Sequence, residues 1–174
     1  LSLTLLTAAW LSSRAGWLVA VLVVNITLGT VGYHYDALAQ AFGVTVRRSQ
    51  DPYARLRGWH ELGQQVQLLM DRYPGAGLLG DDRAVIAELV YYLRPHPQDV
   101  VAWNPQGRRA NQYQLQADIA QHPQGERIFV ARYAQLEELN GHFAMVDDLG
   151  TVSITTHADA TRQYRIYRVR DSIP

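Results

Sequence analysis

The chain has no cysteine, no lysine and no net charge over its 174 residues. Without cysteine there are no disulfides and no thiolate metal ligands, although many extracytoplasmic proteins also lack it, so the compartment stays open. All sixteen basic residues are arginine, which reads first as a coding bias, and sixteen acidic residues balance them. A balanced chain carries no global field that recruits nucleic acid, so no nucleic-acid partner is expected. The six histidines show no HxxxH or HxH spacing. No metal and no cofactor are therefore expected. A P-loop and a GxSxG elbow are also missing, and no serine or histidine is singled out as part of a catalytic triad.

Charge is missing from one long stretch in particular. Between Arg14 and Asp36 lie twenty-one residues without a formal charge, AGWLVAVLVVNITLGTVGYHY, with polar groups only at Asn25, Thr27, Thr30 and His34. At roughly 1.5 Å per helical residue this run reaches about 30 Å, the thickness of a bilayer hydrocarbon core. It reads as a membrane span. Trp17 near one end and Tyr33, His34 and Tyr35 near the other sit where amphipathic rings prefer the interface. A signal peptide has a shorter apolar region and a small-residue cleavage site, whereas here another apolar run, LSLTLLTAAWL, precedes Arg14. A buried core helix is usually shorter and interrupted by charge. Because the chain begins inside apolar sequence, Leu1 to Leu11 reads as the tail of an earlier helix. The whole then reads as the carboxyl end of a longer, multi-pass protein.

Residues 1–46 are expected to form this membrane part: the end of one helix, a full span, and an interfacial segment around ALAQAFGV. Residues 47–174 carry the pattern of a soluble domain. Asp51 and Pro52 look like a helix start, and Leu56, Trp59, Leu62, Val66, Leu69 and Tyr73 recur on one helical face until Pro74 and Gly75. AGLLG reads as a buried strand. DDR then opens a second helix with Val85, Ile86, Leu89, Val90 and Leu93 inward until Pro95. DVVAW and ERIFVAR read as strands and YAQLEEL as a brief helix. HFAMVDD, TVSITTH and QYRIYRV read as further strands, the first two joined by a turn at DLG. The expected fold class is α/β: a transmembrane helix followed by a small mixed α/β sandwich domain, with helices packed on the sheet.

The stretch WNPQGRRANQYQL, Trp103 to Leu115, follows the strand DVVAW and allows two readings. Asn104, Pro105 and Gly107 suit a plain turn. Trp103, Asn104, Arg108, Arg109, Asn111, Gln112 and Tyr113 also supply an aromatic face, planar cationic forks and amide groups suited to a sugar or a phosphate. In an open α/β sheet such ligands sit at the carboxyl ends of strands. GDDR, at another strand end, offers Asp81 and Asp82 either as caps of the next helix or as groups for sugar hydroxyls at the same rim. A lone carboxylate pair is a weak metal signal. Asp147 and Asp148, before Gly150, read as turn chemistry. RLRGW, Arg55 to Trp59, reads either as a solvated helix face or as a contact for lipid phosphates.

Taken together, LGTVGYHYDALAQAFG, DPYARLRGWHELG, GLLGDDRAVIAELVYYL and VVAWNPQGRRANQYQL resemble the carboxyl-terminal end of bacterial family 39 membrane glycosyltransferases, the dolichyl-phosphate-mannose protein mannosyltransferase-like group. The resemblance covers most of residues 20–116 and fades after about residue 130. It implies a multi-pass enzyme of the inner (plasma) membrane that moves a sugar from a polyprenyl-phosphate donor to an extracytoplasmic acceptor. Its partners would be a lipid-linked sugar, membrane lipid and the remaining transmembrane helices. The family's catalytic carboxylate lies in the first extracytoplasmic loop, so no catalytic residue is expected here. The domain after the last span would lie outside the cytoplasm and assist substrate binding. Arg14 before the span against Arg47, Arg48, Arg55 and Arg57 after it argues for the opposite orientation. The alternative to this enzyme reading is a membrane-anchored, non-catalytic binding or scaffolding domain.

Overall fold

The computed structural model describes residues 6–10 and 15–173. The chain divides into two compact units, Leu1–Val46 and Arg47–Pro174.

In the first unit residues 6–10 are helical, and the rest of the segment expected as an earlier helix lies outside the described residues. Helix α1 (Ala15–Tyr33) is apolar on every side, so it has no face that marks an inside and an outside. Its window Gly16–Tyr33 has a mean hydropathy of 1.7, and none of it is buried by protein. The one amide in its middle makes a hydrogen bond within the helix: the Asn25 side chain donates to the Val21 carbonyl at 2.8 Å. That bond occupies one of the two amide N–H donors. A short helix, α2 (Tyr35–Ala41), follows.

The second unit is mixed α/β. Its sheet has five strands in the order β2-β1-β3-β5-β4. They are β1 (Gly77–Gly80), β2 (Val100–Ala102), β3 (Glu126–Ala131), β4 (Phe143–His157) and β5 (Ala160–Ser172). β1 runs parallel to β2 and β3, and β5 runs antiparallel to β3 and β4. Successive side chains in a strand point to opposite faces, and the core divides accordingly. Leu78, Ile128, Val130, Ile154, Tyr164 and Ile166 face helices α3 (Trp59–Arg72) and α4 (Arg83–Tyr92), meeting Trp59, Leu62, Val66, Val85 and Leu89. Leu79, Val101, Phe129, Ala131, Tyr167 and Val169 face the other way. That second face is covered by Trp103, Ile119, Ala134, Leu139 and Phe143, with help from the short helices α5 (Gln112–Gln116) and α6 (Leu136–Leu139).

Two local expectations are corrected. The first helix starts at Trp59, not at Asp51 and Pro52: residues 54–56 form a single 3-10 turn, and Gly58 adopts φ +84° before α3 begins. Asp51 is buried there for a different purpose, described below. HFAMVDD and TVSITTH are not two strands of a hairpin but the single strand β4, with a bulge between Asp148 and Gly150. There the Asp148 carboxylate accepts from the Gly150 N–H at 2.8 Å. Gly150 at φ +100° makes room for the bulge, and the hairpin turn falls instead at Ala158 and Asp159. Asx–Gly chemistry serves a bulge as readily as a turn, because both need one residue in the left-handed region.

Across the sheet Glu126 on β3 accepts from Arg168 Nε and Nη2, both at 2.9 Å, and from Arg170 at 2.6 Å. The Arg168 and Arg170 hydrogen bonds hold the Glu126 carboxyl down at about 2 against its partial burial.

Candidate functional site at the carboxyl rim of the sheet

The carboxyl ends of the three parallel strands β1, β2 and β3 meet at one rim, and a cleft of about 350 Å³ opens there. Asp81 after β1, Trp103, Asn104, Pro105, Gln106 and Arg108 after β2, and Tyr133 after β3 line it, with Gln114 and Glu138 completing the wall. This is the position that an open α/β sheet offers to ligands, because strand ends expose backbone and loop groups without filling the space between them.

The loop after β2 is held mainly by its own polar groups. The Trp103 N–H donates to the Gly80 carbonyl at 2.8 Å, and the Ala102 N–H to the Ala117 carbonyl at 2.7 Å. Asn104, only 7% exposed, closes the turn: its side-chain oxygen accepts from the Arg108 N–H at 2.9 Å, and its amide donates to the Arg108 carbonyl and to Asp118. Asn111 caps α5 by accepting from the Gln114 N–H at 3.1 Å. Gln112 is paired along that helix with Gln116, and neither Gln112, Tyr113 nor Arg109 lines the cleft.

Trp103 does not present the open stacking face expected for a sugar ring. Its indole is 6% exposed, stacks on Phe143 with ring centroids 5.2 Å apart, and meets Phe129 and His142. A large ring next to an apolar sheet face gains more by covering that face than by waiting for a ligand. The exposed ring of the cleft is Tyr133, which is 62% exposed.

The two carboxylates of GDDR have separate tasks. Asp82 caps α4, accepting from the Ala84 N–H at 2.6 Å, and pairs with Arg132 at 2.9 Å. Asp81 ties β1 to the loop after β3, accepting from the backbone N–H groups of Arg132 (2.8 Å), Tyr133 (2.6 Å) and Ala134 (2.7 Å). Burial pushes its carboxyl above the ordinary aspartate value, and those N–H groups only partly oppose the shift.

What remains free at the cleft is a smaller set than the loop's composition suggests. Among the described residues the exposed guanidinium of Arg108 makes no hydrogen bond or ion pair, and Glu138 across the cleft is likewise exposed and unpaired. Gln106, Tyr133 and Glu138 were not singled out from the sequence. The rule that strand ends hold ligands applies to RYA after β3 as it does to WNP after β2, so Tyr133 was within its reach. Glu138 was not, because it comes from α6 rather than from a strand end. Among the described residues no group of acidic or histidine side chains is arranged to hold a metal.

The other arginine-rich motif, DPYARLRGW, forms a closed clasp. The Asp51 carboxylate has no side-chain exposure and accepts from Arg57, from His157 Nε2 at 2.8 Å and from the Tyr53 N–H at 2.8 Å. Burial alone would raise the Asp51 carboxyl, but hydrogen bonds from Arg57, His157 and Tyr53 bring it to about 2. Arg162 on β5 donates to the carbonyls of Arg57 (3.1 Å) and Ala54 (2.7 Å) and lies over the Trp59 ring. The Trp59 indole N–H donates to the Arg55 carbonyl at 2.7 Å. The segment is thereby fastened to the β4–β5 hairpin.

GAGLLG, Gly75 to Gly80, has the glycine spacing of a dinucleotide-binding loop. Here its last four residues are β1 itself, whereas that motif needs a strand before the glycines and a helix opening on them. It therefore builds no phosphate cradle. No protein-family model matches the chain, and neither the curated proteins nor the solved structures contain a match.

Proposed function

We propose that the chain is the carboxyl-terminal part of a membrane glycosyltransferase that uses a polyprenyl-phosphate sugar. On this reading α1 crosses the bilayer and the α/β domain, outside the cytoplasm, helps to hold a substrate in its rim cleft. The observation that carries the reading is the unpaired Arg108 guanidinium at a polar cleft formed by three parallel strand ends. A planar fork with free N–H donors suits the oxygens of a phosphate, and the exposed Tyr133 ring suits a sugar face. Asp81, Asp82, Asn104 and Trp103 are placed as scaffold, because each is already engaged by the fold. Arg109, Asn111, Gln112 and Tyr113 carry no role in the cleft.

The test is binding of a short-chain isoprenyl phosphate to the full chain in detergent, compared with Arg108→Ala. Charge-assisted hydrogen bonds contribute about 1.5–3 kcal/mol, so affinity is expected to fall by roughly tenfold or more. Equal binding by the two proteins, or none by the wild type, argues against the assignment. A second reading is a membrane-anchored binding domain with no part in catalysis.

A further inference from the structure

The clasp fixes the start of the second unit in an unusual way. Residues 47–57 contain no regular element longer than one 3-10 turn. Even so, Asp51, Arg57, His157 and Arg162 hold their backbone tightly, and Asp159 at the hairpin tip accepts from the Arg48 N–H at 3.1 Å. The exposed side chains of this segment include Arg47, Arg48, Arg55 and Leu56, the last 67% exposed, beside Ser49, Gln50, Pro52 and Tyr53. Among the described residues the three guanidinium groups make no hydrogen bond or ion pair. Asp51 does not pair with them, because it is buried against Arg57 and His157, and Asp159 meets only the Arg48 backbone N–H.

We infer that this surface of residues 47–56 docks on anionic lipid headgroups, with Arg47, Arg48 and Arg55 on the phosphates and Leu56 inserted among the upper acyl carbons. The inference rests on the reading of α1 as a membrane span. The occupant follows from the chain itself, since these exposed residues come directly after a unit whose helix is long and apolar enough to cross a bilayer. The segment sets one exposed leucine beside three unpaired arginines. An interface that is anionic outside and apolar beneath suits both. The clasp gives the contact its use. A flexible basic linker would find lipid in any orientation, whereas a fastened one presents one face of the domain to the membrane.

The absence of native cysteine makes the test clean. Full-length chains carrying Leu56→Cys or Leu115→Cys, the latter an exposed site on α5, are spin-labelled and reconstituted in phosphatidylglycerol or phosphatidylcholine vesicles. The label's collisions with oxygen, which concentrates in lipid, are compared with those of a water-soluble nickel chelate. At position 56 the label is expected to favour oxygen in phosphatidylglycerol, and at 115 to stay aqueous. Replacing Arg47, Arg48 and Arg55 by Gln should return the first label toward water, by roughly fivefold in the bound-to-free ratio for each arginine. A near-ultraviolet circular dichroism spectrum unchanged by the triple replacement shows that the fold is intact. An aqueous label at 56 in phosphatidylglycerol, or one indifferent to the triple replacement, overturns the inference while leaving α1 as a span. Release of the chain from vesicles by alkaline carbonate overturns the span, and this inference with it.

Discussion

DPYARLRGW and WNPQGRRANQYQL are built from nearly the same ingredients, aromatic rings, arginines and a glycine with positive φ, yet they behave as opposites. In the first, the Asp51 carboxylate holds Arg57 and His157, the Trp59 indole donates to the Arg55 carbonyl, and Arg162 of the β4–β5 hairpin donates to the Arg57 carbonyl. In the second, Asn104 and Trp103 are absorbed by the fold, but Arg108 stays free at the edge of a cleft. The difference lies in what surrounds them. The clasp lies against β-strands whose polar groups reach it, whereas the rim loop stands over the ends of strands, where there is backbone to bind on one side and open space on the other.

Substitutions can widen or erase that contrast. The largest effect is expected at Trp103→Ala, which removes a buried ring from the second core face and should cost about 3 kcal/mol or more in chemical denaturation. A loss below about 1 kcal/mol would return the indole to the role of a ligand platform. Asp51→Ala should follow at about 2–3 kcal/mol, since it leaves His157 and Arg57 without their shared carboxylate; parity with the wild type in the same denaturation assay would mean that the clasp is ornamental.

The glycines sharpen the comparison further. At Gly58, φ +84°, a Cβ would lie 2.8 Å from Ile154 and 2.9 Å from Thr156, whereas at Gly107, φ +60°, it would meet nothing within 4 Å. Gly107→Ala is therefore expected to lose only the conformational term, about 1 kcal/mol, and Gly58→Ala more than that. Melting temperatures of the two variants give the order directly, and the reverse order would contradict the tight clasp. Arg108→Ala, at the open end of the comparison, should change stability by less than about 0.5 kcal/mol. A larger loss would show that its guanidinium is tied into the fold.

Acid should act on the closed regions first. Asp51 and Glu126 are both held at about 2, below the ordinary values of 3.8 and 4.5 that they regain on unfolding. The unfolded chain binds these protons first as pH falls, so their stabilisation is complete above about pH 4.5 and is lost as pH falls toward 2. Asp51→Asn should flatten that part of the stability profile recorded by circular dichroism; an unchanged acid limb would mean that other carboxylates govern it. Asp81 has the opposite sign. Burial raises its carboxyl, so its contribution is present below the ordinary aspartate value and is lost as pH rises from there through the raised one.

How much of this was legible in the residues depended on the distance over which each signal acts. The α/β class was legible, because AGLLG, DVVAW and ERIFVAR are short apolar runs with helical stripes between them, and such periods declare themselves locally. The start of α3 was misread because Asp51–Pro52 is a sound capping pair by local rules, while its carboxylate is claimed by His157, over a hundred residues away. The DLG turn was misread because a bulge and a hairpin use the same residues, and the partner strand decides between them. At the rim, the position of the cleft followed from the strand-end rule, but the division of labour within it did not.

By itself the sequence determined the apolar stretch without charge, the alternation that makes strands and helices, and the presence of a polar loop after DVVAW, all properties of neighbours along the chain. Only the tertiary structure decided which of those polar groups would be consumed. Whether Trp103 covers Phe143 or faces solvent, and whether Asp51 caps a helix or joins His157, depends on which surfaces the fold brings within hydrogen-bond or van der Waals reach. No window of contiguous residues contains that information.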